Sequence, residues 1–134
     1  MKQYIGTKIV KAEPMEKNGR EGYKVVYAPD GYESWSPKDV FEEAYRETTG
    51  MPFGLAVEAA KMGKRIARKG WNGKNQYVQL ATCIFYVTHD GGLINAHHEA
   101  IGNKALAFVG TSGVQMGWPA SQADMLADDW MIVE

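Results

Sequence analysis

The residues of this chain best suited to chemistry are an indole on a glycine-flanked turn and the cations beside it. Gly70-Trp71-Asn72-Gly73-Lys74 reads as a hairpin-type turn with Asn72-Gly73 at its tip, and Lys64, Arg65, Arg68 and Lys69 come just before it. An indole face stacks on a nucleobase, and guanidinium forks and ammonium groups take phosphate oxygens, so the cluster suits a ligand that is part base and part phosphate. The same cations equally suit a solvated strand edge guarded against unwanted pairing. Turns run over the surface, so the Trp71 indole is expected to be exposed and available.

A second group lies in GWPASQADMLADDW, residues 117–130. Trp118 offers another ring, and Ser121, Gln122 and Asp124 offer a hydroxyl, an amide and a carboxylate that suit ribose hydroxyls. Ser121 and Asp124 also stand where an N-cap and its capping-box partner belong, and Trp130 reads as core. The candidate ligand-binding residues are therefore Trp71, Asn72, Lys74, Arg65, Arg68, Trp118, Ser121, Gln122 and Asp124.

Turnover has little to rest on. Asp124, Asp128 or a histidine would have to serve as a base without a paired carboxylate. His89, His97, His98 and Cys83 lack metal-ligand spacing, and Cys83 reads as a small buried hydrophobe. Gly110-Thr111-Ser112-Gly113 lacks the lysine of a phosphate-binding loop and reads as a turn. The sequence gives no catalytic residue, no metal site and no cofactor.

Short elements must position these groups. Residues 4–12 and 23–27 and 32–35 read as strands around the turn Pro29-Asp30-Gly31. Ser36-Pro37-Lys38-Asp39 sets out an N-cap, a proline at the first helical position and an acid at the third, and Val40, Phe41, Ala44 and Tyr45 recur at helical spacing to cover the sheet. Tyr23, Tyr27, Tyr32 and Trp35 suit either a surface for nucleobases or peptides or the core of a small module. The core reading is favoured, because three strands and one helix have little else to bury.

Residues 47–52 change to turn chemistry, which separates a module over 1–48 from a second over 51–134. In the second, residues 53–62 form an alanine-rich helix with Phe53, Ala56, Val57 and Ala60 on one face and Gly63 as its C-cap. Residues 64–69 and 76–80 pair as strands, 84–88 is a candidate strand before the turn Asp90-Gly91-Gly92, and 105–109 is a buried strand. A short helix after Ser121 is expected to turn Ala120, Ala123, Met125, Leu126 and Ala127 inward, and 130–133 to close the fold as a strand. The fold class is α+β, with small antiparallel β-sheets each carrying a short packed helix, in two small modules.

Composition limits the partners. The 134 residues are 45% hydrophobic and 23% charged, with Lys+Arg 15 against Asp+Glu 16 and a formal charge of -1. No overall basic field favours duplex nucleic acid or an anionic membrane, and no run reaches membrane-spanning length or the form of a signal peptide. The single cysteine excludes an intramolecular disulfide and suits a reducing cytoplasm.

FGLAVEAAKMGKRIARKGWNGK and WPASQADMLADDW, in that order across nearly all of residues 51–134, strongly resemble the phage Thoeris anti-defence proteins of the second type. The resemblance implies a sponge in the cytoplasm of the bacterial host that sequesters a cyclic ADP-ribose isomer, or in some members cyclic oligonucleotides, without cleaving it. It also implies a homo-oligomer, a tetramer as a dimer of dimers, with ligand held between subunits. The first 48 or so residues (YIGTK, GYKVVY, DGYESWSPKDVFEEAY) resemble a small module attached to several phage proteins of unknown role, which the shortest members lack, and residues 89–113 differ from those members. Two rival classes are a hydrolase of the same signal and a phage structural or protein-binding adaptor.

Overall fold

The computed structural model describes residues 1–71, 75–98 and 102–134. The chain is α+β and divides into two compact units, Met1–Glu47 and Thr48–Glu134.

In the first unit, β1 (Val10–Pro14), β2 (Gly22–Tyr27) and β3 (Tyr32–Pro37) form an antiparallel sheet in that order. β1 begins later than the alternation over 4–12 suggested, and the residues before Val10 are exposed. Pro14 is accepted as its last residue because an edge strand can lose one ladder donor. Helix α1 (Lys38–Ala44) takes Pro37 as its N-cap with no side-chain cap bond, and Ser36 remains in β3, so the expected serine cap is not made. Phe41 carries the packing: its ring stacks on Tyr23 at 4.3 Å between centroids, and Tyr45 stacks on Phe41 at 4.9 Å. Val40, expected to cover the sheet, is exposed. On the opposite face Trp35 lies directly over Gly22, its Nε1 donating to the Met15 carbonyl at 2.8 Å.

The second unit contains α2 (Phe53–Lys61), β4 (Arg65–Arg68), β5 (Tyr77–Ala81), β6 (Tyr86–Val87), β7 (Leu93–Ile94), β8 (Ala105–Gly110), β9 (Gly113–Met116), α3 (Gln122–Leu126) and β10 (Trp130–Val133). Five strands form one antiparallel sheet in the order β10-β4-β5-β8-β9, and β6 with β7 forms a separate ribbon. β9, not expected from the sequence, pairs back onto β8 through the turn at Gly110-Thr111-Ser112-Gly113. Helix α2 buries Ala56, Ala59 and Ala60, a stripe of methyl groups that lets it approach the sheet closely, and Gly63 ends it at φ +92°. Val57 is only half-buried, so the packed stripe runs through Ala59 instead.

Pairing registers sort the sheet into two faces. Ile66, Arg68, Val78, Phe108, Trp130 and Ile132 share one face, and Arg65, Ala67, Tyr77, Ala107, Val109, Met116, Met131 and Val133 share the other. The core cluster of Met51, Ile66, Val78, Trp130 and the α2 alanines lies on the first. Helix α3 contributes little apolar burial: Leu126 is 78% exposed, Met125 and Ala123 are exposed, and among its expected inward residues only the flanking Ala120 and Ala127 are half-buried. Its place is fixed by polar bonds instead. Among the described residues no helix is long and apolar enough to cross a membrane.

Candidate functional site

Trp130 opens β10 opposite Arg68 of β4 and is fully buried, with 0% exposure. Its ring is edge-on to Trp71 at 5.3 Å and to Trp118 at 6.0 Å, and Phe53 of α2 lies 5.2 Å away. Trp71 is edge-on to Trp118 at 5.8 Å and to Phe108 at 5.4 Å, while Phe108 and Trp118 are nearly parallel, 22° apart at 6.5 Å. Four rings from β8, β10 and two connecting segments therefore form one cluster on the sheet face that α2 packs against.

Trp71 departs from expectation. Its backbone N–H donates to the Arg68 carbonyl at 3.0 Å, turning the chain back over the sheet, and the indole packs half-buried against the core. It is not a free ring on a surface turn. Trp118 is half-buried too, pinned where its N–H and that of Gly117 both reach the Leu106 carbonyl, at 2.8 and 3.1 Å.

The cations do not form one patch. Arg68 is an internal tie: its Nε donates to Asp129 Oδ1 at 3.0 Å and its Nη1 to Asp124 Oδ1 at 3.1 Å, so the guanidinium expected to take phosphate already has carboxylate partners. Those bonds, Asp129 first and Asp124 second, hold its proton more firmly than usual. Arg65 lies on the other face of the sheet, 4.6 Å over the Tyr77 ring, because positions three apart on a strand point to opposite sides. Asn72 and Lys74 lie outside the described residues.

Ser121 and Asp124 complete the capping box at the start of α3. Ser121 Oγ accepts from the Asp124 N–H and Asp124 Oδ2 accepts from the Ser121 N–H, both at 3.0 Å. Partial burial acts to raise the Asp124 pKa, but the Ser121 bonds and the Arg68 guanidinium outweigh it and hold the carboxyl below its ordinary value. Gln122 is exposed on the first turn of α3. The structure thus gathers Trp71, Trp118, Arg68, Ser121 and Asp124 around Trp130, and places Arg65 elsewhere. Phe108 belongs to the cluster as well, beyond the candidates the sequence offers, and its alternation with Leu106 along β8 is the sequence signal for it.

Cys83, read as a buried hydrophobe, is exposed in a segment between β5 and β6. Among the described residues no three His, Cys, Asp or Glu side chains could together hold a metal ion. The cluster offers ring faces and edges with neighbouring hydrogen-bonding groups. Asp124, whose backbone carbonyl accepts from Trp130, and Asp129, next to Trp130 in the chain, both pair with Arg68.

This unit, a five-stranded sheet with an alanine helix and a tryptophan cluster on one face, matches the family model of the Thoeris anti-defense 2-like (Tad2-like) domain over residues 51–133, and the chain belongs to that family. Among curated proteins it is similar to Thoeris anti-defense 2 of Bacillus phage SP01, with 38% identity over 88 residues, covering 63% of this chain and 97% of that protein.

Proposed function

We propose that this protein acts as a phage anti-defence sponge: in the cytoplasm of the bacterial host it binds a cyclic nucleotide immune signal, a cyclic ADP-ribose isomer, and holds it without cleaving it. The observation that carries this reading is the family match over 51–133, which coincides with the unit bearing the aromatic cluster. The half-buried rings of Trp71, Phe108 and Trp118 are proposed to contact the adenine, and Gln122, exposed at the start of α3, to offer its side-chain amide. Asn72 and Lys74 follow Trp71 directly in the chain and are proposed to complete the site toward the pyrophosphate. A hydrolase would need a carboxylate or imidazole poised for a water, and the nearby Asp124 and Asp129 are engaged as ion-pair partners.

Self-association belongs to the same proposal. The second sheet face carries Tyr77, Val109, Met131 and Val133 half-buried, with Val114 and Met116 63% and 52% exposed, and none of them joins the core cluster. A second copy covering that face would bury it symmetrically. Light scattering at micromolar concentration should give a dimer or tetramer, and a monomer would count against this part.

The central test mixes purified full chain with a cyclic ADP-ribose isomer, removes free ligand, denatures the protein and analyses the release by mass spectrometry. Stoichiometric recovery of unaltered ligand supports the sponge. Altered ligand favours a hydrolase, and no retained ligand removes this signal from consideration.

A further inference from the structure

The first unit holds a cleft of about 430 Å³ that the nucleotide reading does not use, lined by Lys8, Tyr27, Pro29, Asp30, Tyr32 and Ser34. Strand alternation puts Tyr23, Val25 and Tyr27 of β2 on one face; α1 covers the Tyr23 end through Phe41, so the Tyr27 end stays open. Tyr27 pairs with Tyr32 across the strands, their ring centroids 6.0 Å apart and tilted by 32°, and Tyr32 is 64% exposed. The turn behind them is fixed where Asp30 Oδ1 accepts from the Tyr32 N–H at 3.2 Å. Lys8 brings its Nζ to 4.4 Å from the Tyr27 centroid and makes no ion pair among the described residues.

These features select a class of occupant. A small molecule is held by enclosure, whereas this cleft is open, and β3, which supplies Tyr32 and Ser34 to it, is an edge strand of its sheet. A single-stranded nucleic acid would want a basic field, yet residues 1–47 hold eight Lys and Arg against nine Asp and Glu. An extended peptide needs neither enclosure nor a basic field. Its proline rings pack on tyrosine faces, its preformed conformation lowers the cost of ordering, and an acidic side chain answers the unpaired ammonium. We propose that this cleft docks an extended, proline-bearing acidic segment of a partner protein, with a proline on Tyr27 and Tyr32 and a carboxylate on Lys8.

The test uses the full chain, labelled with nitrogen-15 and titrated with four probes: acetylated hexapeptides EPPLPE, KPPLPK and EAALAE, and oligouridylate. EPPLPE should shift the amides of Lys8, Tyr27, Tyr32 and Ser34 saturably, with EAALAE and KPPLPK about tenfold weaker. Lys8→Glu should reverse the preference between EPPLPE and KPPLPK. Tyr32→Ala, which removes an exposed ring, should weaken EPPLPE about tenfold with an unchanged melting temperature. The proposal is overturned if EPPLPE gives no saturable shifts, if its shifts map elsewhere, if EAALAE binds equally well, or if only oligouridylate saturates the cleft. Because the cleft lies in the first unit, none of these results bears on nucleotide capture by the second.

Discussion

The indole Nε1 of Trp130 donates to the backbone carbonyl of Asp124 at 2.8 Å, tying the innermost ring of the core to a residue of the short helix α3. A buried indole N–H needs such a partner, and α3, which buries no residue of its own, needs an anchor. One bond meets both needs.

Trp130→Ala should therefore be the most damaging ring removal in the second unit. It leaves a cavity among Trp71, Trp118 and Phe53 and frees α3, costing about 3–5 kcal/mol. Trp71→Ala removes a half-buried ring and should cost about 1.5–3 kcal/mol. Thermal melts of both variants, followed by ligand titration of whichever remain folded, check the order. Equal melting of Trp71→Ala and wild type would mean that the ring bears no core load.

Local signals in the sequence reached the local structure well. The capping box at Ser121 and Asp124, the left-handed Gly63 that follows the C-cap Met62 and the closing strand at Trp130 were legible because each depends on residues within one turn of each other. Long-range pairings were not. Arg68 meets Asp129 across 61 positions, so a dense run of cations looked like one patch until strand alternation and distant carboxylates divided it. Trp71 misled for a related reason: a turn is a surface feature only until the sheet beneath it offers Phe108 and Trp130 to pack against.

Asp124 gives the second unit an acid-sensitive joint. Its pKa is lowered in the folded chain, so its contribution to stability is present above the ordinary value of 3.8 and is lost as pH falls through the lowered folded value. Asp124→Asn keeps an oxygen to accept from Ser121 but loses the charge facing Arg68, so it should cost about 1–2 kcal/mol near neutrality. Melting curves recorded from neutral pH downward should converge for the two proteins in acid. A gap that stays constant would show that the charge is not what Asp124 contributes.

In the first unit, Gly22→Ala should be destabilising for a steric reason. A methyl group there would run into the Trp35 ring and the Ser36 carbonyl, and a backbone carbonyl cannot swing aside as a flexible side chain can. The expected cost is about 1–3 kcal/mol. Hydrogen exchange resolves it by location, with faster exchange across β2 and β3 and unchanged exchange in β4 and β5. No change in β2 would mean that the strand shifts freely to admit the methyl.

The two arginines of β4 give the sharpest contrast, because they occupy one strand and face opposite ways. Arg68 bridges Asp124 and Asp129 at 3.1 and 3.0 Å, and removing it leaves two partly buried carboxylates without their shared cation. Arg68→Ala should therefore lower the melting temperature measurably and raise the pKa of Asp124 toward its ordinary value. Arg65 is exposed and lies over the Tyr77 ring, so Arg65→Ala should cost no more than about 0.5–1 kcal/mol. It also lies across the sheet from Trp71 and Trp118, and its loss should leave capture of a cyclic ADP-ribose isomer within about twofold of wild type, a difference of about 0.4 kcal/mol. Parallel melts and titrations of the two variants decide the matter. If Arg65→Ala abolishes binding while Arg68→Ala leaves both stability and binding intact, the ligand sits on the opposite sheet face and the aromatic cluster is core alone.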